Sequence, residues 1–250
     1  MIIEYHRPKS LDEAVALLQR PYPLTIPLGG GITVSQMKEP DCAVVDLQDL
    51  GLNQIVSQGN IIKIGAAVTL QQLVEDEGLQ PELSLAARKE TTYNLRQRAT
   101  VAGSIVSGDG RSHLLTVLLA LDATLIWAPG EKQTSLGDYL ALRGARPLDG
   151  VLITEIRVAK NAQLKYEYVA RTPEDRPILL VAVAKWPSGR TRVVVGGFGK
   201  APGLVVDGPD AGGAPMALRA MLQDAGDEWA SATYRQEVAQ VLLKRCLSAL

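Results

Sequence analysis

The alternation of apolar and polar positions over roughly the first 160 residues predicts short helices interleaved with short strands. The sequence Ser-Leu-Asp-Glu at 10–13 is a capping box, and the apolar positions around it lie on one face of a helix. A second capping box, Thr-Leu-Gln-Gln at 69–72, opens another helix. Apolar runs of strand length, bounded by turn residues, predict strands at 24–28, 43–47, 55–56, 61–64, 125–127 and 151–158.

Three further segments of this region have other patterns of apolar and polar residues. Residues 114–121 are apolar on every side, and their length and low content of β-branched residues favour a buried helix. A helix is also predicted to begin at 81–88. Residues 100–109 are small, polar and glycine-containing, which predicts a loop, or a loop that flanks a strand.

After about residue 160 the pattern changes to that of an antiparallel sheet. Strands are predicted at 166–170, 178–184 and 192–195, with a Pro-Ser-Gly turn before the last of them. A glycine- and proline-rich loop around one short strand follows at 199–215, and two helices are predicted at 214–225 and 231–247. The change predicts a domain boundary near residue 160.

The composition narrows the class of protein. Of the 250 residues 46% are hydrophobic and 21% are charged, which excludes a largely disordered chain. Lys and Arg number 26 against 27 Asp and Glu, and this balance argues against a strongly basic nucleic-acid-binding protein. The most apolar stretch, 114–128, is interrupted by polar residues and falls short of the roughly 20 residues that span a membrane. Because the N-terminus also lacks the features of a signal peptide, we expect a cytoplasmic protein.

Few residues of the chain suit metal binding or acid–base catalysis. Its two cysteines, Cys42 and Cys246, are too few for a disulfide framework, an iron–sulfur cluster or a four-cysteine zinc site. One of the two histidines, His113, titrates near neutrality in its free form, but the sequence places no recognisable nucleophile or orienting carboxylate beside it. We therefore predict no metal site and assign no catalytic residue.

Three successive glycines, Gly29 to Gly31, follow a predicted strand and form the first candidate binding site. Glycines leave backbone N–H groups unshielded and permit positive φ, so such a turn can bind phosphate oxygens. The spacing is not that of the strand–GxGxxG–helix dinucleotide fingerprint. Three glycines alone are also compatible with a plain flexible turn.

The segment at 100–109 and a group of basic residues are the other candidates. Thr100, Ser104 and Ser107 offer hydroxyl groups, and Asp109 can accept a hydrogen bond from a sugar hydroxyl. The alternative for this segment is a buried turn of small residues. The basic residues can compensate a phosphate or a partner's charge, or can form an ordinary solvated face; they are Arg88, Lys89, Arg96, Arg98 and Arg111.

Taken in order, these segments resemble the FAD-binding (medium) subunit of molybdenum hydroxylases, the family that includes carbon monoxide dehydrogenase and xanthine dehydrogenase. Residues 28–34 lie where the family has its Ala-Gly-Gly-Thr/His-Asp/Ser-Leu pyrophosphate loop, and 95–104 lie where it reads Ile-Arg-Asn-x-x-Thr-Ile-Gly-Gly-Asn. Further similarity lies at 8–14, 64–70, 195–202 and 234–245, so the resemblance covers nearly the whole chain. The chain departs from the family at Gly31 and Ile32, which replace a polar pair, and at His113, where an Asp is frequent.

The resemblance implies an α+β fold: a two-lobed FAD-binding domain of the PCMH (vanillyl-alcohol-oxidase-like) type and a smaller C-terminal antiparallel sheet with helices. The FAD-binding domain is expected at 1–160, with subdomains at about 1–55 and 56–160, and the C-terminal domain at 161–250. Backbone N–H groups of the first loop are expected to hold the flavin pyrophosphate. The complete set of expected FAD-binding residues is Leu28, Gly29, Gly30, Gly31, Ile32, Thr33, Val34, Thr100, Ala102, Gly103, Ser104, Ser107, Asp109, His113, Leu152 and Ile153.

The function that the resemblance implies is electron transfer through FAD. The expected partners are a molybdopterin-binding large subunit and a two-cluster iron–sulfur small subunit, and the electron acceptor is NAD, a quinone or oxygen. The departures at the first loop and at His113 motivate one alternative, a non-catalytic scaffold that has lost FAD. A second alternative is a stand-alone flavin oxidoreductase, which the lack of a base or nucleophile disfavours.

Overall fold

In the computed structural model, which describes residues 1–36, 41–143 and 150–250, three β-sheets are separated by helices. The strands are β1 (Ile2–His6), β2 (Thr25–Leu28), β3 (Cys42–Asp46), β4 (Ile55–Gln58), β5 (Ile61–Gly65), β6 (Thr124–Ala128), β7 (Lys132–Ser135), β8 (Leu152–Ala159), β9 (Gln163–Val169), β10 (Leu179–Lys185), β11 (Thr191–Gly196) and β12 (Gly203–Gly208). The helices are α1 (Leu11–Leu18), α2 (Leu70–Glu75), α3 (Pro81–Glu90), α4 (Tyr93–Arg96), α5 (Val101–Ser107), α6 (His113–Ala120), α7 (Leu136–Leu142), α8 (Ala214–Met221) and α9 (Ala232–Ser248). Short 3-10 helices lie at Val34–Gln36 and Gln48–Leu50.

The first sheet is parallel and has the order β1-β3-β2. Its central strand β3 is buried at all five positions, as expected for a parallel strand covered on both faces. Helix α1 begins after Ser10, whose side chain accepts a hydrogen bond from the N–H of Glu13, and it buries Ala14, Val15 and Leu18. Ser10 is thus the N-cap of this helix, as predicted, but the carboxylate of Glu13 accepts from the N–H of Lys9 and not from that of Ser10.

The second sheet has the order β4-β5-β8-β6-β7 and carries helices α2 to α7. Helix α6 is buried at every position, as predicted for 114–121. It packs on α3 and α5 and also on β10 and β11 of the third sheet. Its uniformly apolar sequence follows from this position between layers.

The third sheet is antiparallel, in the order β12-β11-β10-β9, and is covered on its other face by α8 and α9. Alternate residues of β10 point to opposite sides. Leu180 and Ala182 join the core around α6, whereas Leu179 and Val181 join the core beneath α8 and α9. The predicted α+β class, ending in an antiparallel sheet with helices, is therefore confirmed.

Some local predictions were wrong. The segment at 100–109, predicted as a loop, forms helix α5 at Val101–Ser107, because Thr100 caps its N-terminus and Val101 and Ile105 bury one face. Strand β1 had no predicted counterpart. The connection between β6 and β8 contains β7 and α7, and its residues 144–149 lie outside the described part of the chain.

Candidate functional site

A cavity of about 510 Å³ opens where the first and second sheets meet. Its wall is built by the end of β2 and the loop that follows, by α5 and the residues before it, and by the start of β8. The expected site residues that line it are Gly29, Gly30, Gly31, Ile32, Thr33, Val34, Thr100, Ala102, Gly103, Ser104, Ser107, Leu152 and Ile153.

The two glycine-containing segments, about seventy residues apart in sequence, touch each other. A side chain on Gly29 would come within 2.9 Å of the Thr100 hydroxyl. One on Gly30 would overlap the backbone carbonyl of Arg98. Gly30 therefore needs glycine because another stretch of backbone occupies the space that a Cβ would take, whereas at Gly29 the side chain of Thr100 leaves little room for one.

Residues 29–33, here called the glycine loop, carry backbone N–H groups that have no acceptor among the described residues. Within the described residues, no group accepts a hydrogen bond from the N–H of Gly29, Gly30, Gly31, Ile32 or Thr33. Gly31 has φ +76°, a left-handed conformation that favours glycine, and its carbonyl accepts from the N–H of Ser35. Successive free amides in such a turn form a concave surface that suits an anion.

The opposite segment offers hydroxyl groups rather than amides. The N–H groups of Val101, Ala102 and Ser104 donate to backbone carbonyls, and that of Gly103 donates to the Thr100 hydroxyl. Ser107 donates its own hydroxyl to the carbonyl of Gly103. The N–H groups of 101–104 are therefore already paired within the protein, and the N–H groups without an acceptor among the described residues lie on the glycine loop.

Three of the expected residues do not line the cavity: Leu28, Asp109 and His113. Asp109 accepts from the N–H of Arg111 and pairs with Arg176. Burial would raise the pKa of this carboxyl group, but the hydrogen bonds from Arg176 and from the N–H of Arg111, together with the charges of both arginines, outweigh it and lower the pKa. Asp109 thus stabilises the loop that follows α5.

His113 is buried at the start of α6, edge-on to the rings of Tyr166 and Tyr168. Its Nδ1 has no hydrogen-bond partner among the described residues. Burial, together with the charges of Lys89 and Arg176, lowers its pKa to about 3. At neutral pH it is an uncharged core side chain.

Several residues of the wall were not expected from the sequence, above all Glu90 and Trp127. Glu90 ends α3, and its carboxylate accepts hydrogen bonds from the Ser112 hydroxyl and the N–H of Leu114. Burial raises the pKa of Glu90, although these two hydrogen bonds oppose the shift. Trp127 lies on β6, and its buried ring lines the cavity. No spacing rule links these residues to the glycine loop, since packing alone brings them there.

The described residues include neither a candidate metal-binding cluster nor a candidate membrane-spanning helix. They contain no cluster of three or more His, Cys, Asp or Glu side chains placed to hold a metal ion. Among them, no helix has both the length and the apolar character that a bilayer crossing requires.

Comparison with known proteins gives consistent matches. Residues 1–160 match the family described as the FAD binding domain in molybdopterin dehydrogenase. YgfM of Escherichia coli strain K12 is 31% identical over 157 residues, which is 62% of this chain and 60% of YgfM. The carbon monoxide dehydrogenase medium chain of Afipia carboxidovorans is 26% identical over 275 aligned positions, covering 98% of this chain and 95% of that one. A solved structure of reconstituted CO dehydrogenase from Oligotropha carboxidovorans superimposes with a TM-score of 0.81 at 25% identity, covering 98% of this chain and 96% of that one.

Proposed function

The chain belongs to the family of FAD-binding domains of molybdopterin dehydrogenases, and from this we propose that it is the FAD-carrying electron-transfer subunit of a molybdopterin-dependent hydroxylase or dehydrogenase. FAD is the cofactor of this family, and the relatives are subunits of oxidoreductases. Because the alignment spans only about 60% of YgfM, the activity and the partners of the whole protein are part of the proposal.

One observation carries the proposal: five consecutive N–H groups of the glycine loop lack an acceptor in the described chain and belong to residues that line the cavity. Unpaired backbone donors are costly unless water or a ligand satisfies them. A diphosphate supplies several acceptor oxygens within a few ångströms, which matches a row of adjacent amides. The glycine loop is therefore the site that we assign to the diphosphate of FAD.

The rest of the wall suits the remaining parts of a dinucleotide. Trp127, Leu152 and Ile153 provide an apolar surface for a flat ring system, and Ser104 offers a hydroxyl to a polar group. FAD, when bound, supplies redox chemistry in steps of one or two electrons. The protein binds and orients the cofactor, and no acid–base residue is assigned because the carboxylate of Glu90 is already engaged with Ser112 and Leu114.

The proposed route of electrons runs through other chains. A molybdopterin-binding large subunit oxidises the substrate, and an iron–sulfur small subunit with two clusters delivers the electrons to FAD. NAD, a quinone or oxygen then receives them. The support is the family match together with relatives that are medium chains of carbon monoxide and glyceraldehyde dehydrogenases.

Substitution of Gly30 tests the assignment of the glycine loop. Because a Cβ here would overlap the carbonyl of Arg98, we expect Gly30→Ala to separate the two segments and to weaken FAD binding at least tenfold. Flavin fluorescence quenching on titration of the apoprotein measures the dissociation constant. The matched control is Gly213→Ala, at an exposed position where a Cβ meets nothing within 4 Å.

Two other results would favour the alternative functions, a scaffold without FAD or a stand-alone flavin oxidoreductase. A colourless wild-type protein that does not take up added FAD would favour the non-catalytic scaffold. Turnover of an organic substrate by the isolated, FAD-loaded chain would favour a stand-alone flavin oxidoreductase. Purification of the native assembly with analysis of molybdenum, iron and flavin tests the partners, and we expect all three in fixed ratio.

A further inference from the structure

Arg98 lies beside the glycine loop, and its guanidinium group has no hydrogen-bond or ion-pair partner among the described residues. Its backbone carbonyl is the group against which Gly30 packs, so its main chain is fixed relative to the loop. Its Nη2 lies 3.5 Å from the point that a Cβ on Gly31 would occupy. The side chain is exposed, and within the described part of the chain its guanidinium makes no hydrogen bond or ion pair.

The cavity wall has a deficit of positive charge. Among the described residues that line it, Glu90 is the one acidic side chain and no Lys or Arg is present. The diphosphate of a dinucleotide carries two negative charges, and backbone amides donate hydrogen bonds without supplying a full positive charge. Hydrogen bonds between a cationic side chain and phosphate are roughly twice as strong as neutral ones. A diphosphate on the glycine loop is thus paired with cationic charge only if a basic side chain reaches it from outside the wall.

Three of the other basic residues of the neighbouring segments are held elsewhere, whereas Arg88 is exposed and, like Arg98, makes no side-chain hydrogen bond or ion pair in the described structure. Lys89 donates to the carbonyl of a distant loop residue. Arg96 donates to Gln71 and to two backbone carbonyls, and Arg111 donates to two backbone carbonyls and stacks on Trp229. Arg98 combines a position at the glycine loop with a guanidinium that is free in the described structure.

We propose that Arg98 is a phosphate-binding residue that pairs with the diphosphate of the dinucleotide held by the glycine loop. The inference rests on the proposed function, because it concerns the same cavity. It assigns the affinity for the phosphate part of the cofactor to two sources: main-chain amides that do not depend on side-chain identity, and one arginine that does. A planar guanidinium can donate two parallel hydrogen bonds to phosphate oxygens, which a lysine cannot.

The test compares two flavins in two variants. Dissociation constants for FAD and for riboflavin, which has no phosphate, are measured by fluorescence quenching with the wild-type apoprotein, Arg98→Gln and Arg98→Lys. Because the substitutions leave the Arg98 carbonyl in place, the contact with Gly30 is retained. The control is Arg219→Gln, which removes the same charge from an exposed position on α8.

We expect Arg98→Gln to weaken FAD binding about tenfold and to leave riboflavin binding unchanged. Arg98→Lys should recover part of the loss, and added salt should weaken FAD binding more steeply in the wild type than in Arg98→Gln. Equal FAD affinity in the wild type and Arg98→Gln would overturn the role of Arg98 and leave the proposed function standing. An equal loss for FAD and riboflavin would overturn it as well, since the effect would then lie in the cavity's shape. A wild type that binds no FAD would overturn the proposed function together with this inference.

Discussion

The binding that we propose for the glycine loop uses its main chain and therefore does not depend on the side chains at 31 and 32. The family's polar pair is replaced by Gly31 and Ile32, yet the N–H groups of both residues remain without an acceptor in the described structure. A backbone donor is present whichever side chain follows it, provided that the conformation is kept. Here Gly30 and Gly31 keep the conformation, the first by its close approach to Arg98 and the second by its positive φ.

His113 gives the clearest pH dependence at the level of a single residue. Its pKa of about 3 in the folded protein lies below the ordinary value of 6.5, so between these pH values the unfolded chain binds more protons than the folded one. The free energy of unfolding therefore falls as the pH drops below 6.5, by up to about 1.4 kcal/mol per pH unit. We expect His113→Phe, which keeps an aromatic ring against Tyr168, to remove this contribution.

Urea unfolding of the wild type and of His113→Phe between pH 7.5 and pH 4 measures the contribution of His113 to the free energy of unfolding. The stability of the wild type relative to His113→Phe should be constant above about pH 7 and should decrease below about pH 6. The raised pKa of Glu90 has the opposite pH dependence, but it is present in both proteins and cancels in the difference to first order. Parallel stability profiles throughout would contradict a neutral, buried His113.

Among the elements, those with strong local signals were predicted and those that depend on packing were not. Helix α6 was predicted because nearly all its positions are apolar, and α1 because Ser10 caps it. Helix α5 was missed because Gly103 and several β-branched residues give it low intrinsic propensity, and its stability comes from the Thr100 cap and the burial of Ile105. The same distinction holds in the site: the glycine loop is visible in the sequence, whereas Glu90 reaches the cavity only through the packing of α3 on α6.

The anchoring of helix α9 by Arg235 is testable at this scale. The side chain is fully buried, pairs with both oxygens of Asp227 at 2.9 Å and donates to the carbonyl groups of Ile178 and Gly197. We expect Arg235→Met to lower the free energy of unfolding by about 3–5 kcal/mol, because it leaves buried carbonyl groups without their donor and removes the cation that pairs with Asp227.

Arg245→Met on the same helix is the matched control. Arg245 is 63% exposed and lies 3.9 Å from Glu167, a geometry typical of pairs that contribute at most about 1 kcal/mol. Urea unfolding at pH 7 measures both variants. Similar losses in the two would show that Arg235 is not the anchor of α9.

At the scale of the whole molecule, the segment before helix α6 and the segment after strand β11 are joined by backbone contacts, and the second and third sheets share a hydrophobic core. Gly110 donates to the carbonyl of Gly199 and accepts from the N–H of Gly197, and a side chain on Gly110 would overlap the carbonyl of Phe198. Helix α6 lies between the second and third sheets a few residues further on. The segment at 195–202 resembles a segment of the family, but its contact with Gly110 could not be predicted from the sequence, since about ninety residues separate the two.

The cavity likewise depends on distant segments, and this predicts how FAD affects global stability. Its wall combines the glycine loop, α5 and the start of β8, so a ligand that contacts all three binds the folded chain and not the unfolded one. At a free FAD concentration of 100 times the dissociation constant, the stabilisation is about 2.7 kcal/mol. For a chain of this size that corresponds to a rise in melting temperature of about 5–10 °C.

Differential scanning calorimetry of the apoprotein with increasing FAD measures this rise in melting temperature. Gly30→Ala, at the same FAD concentrations, should show a much smaller one. An equal rise in both proteins would mean that FAD binds without the junction between the glycine loop and Arg98, and the assignment of the cavity would then be wrong.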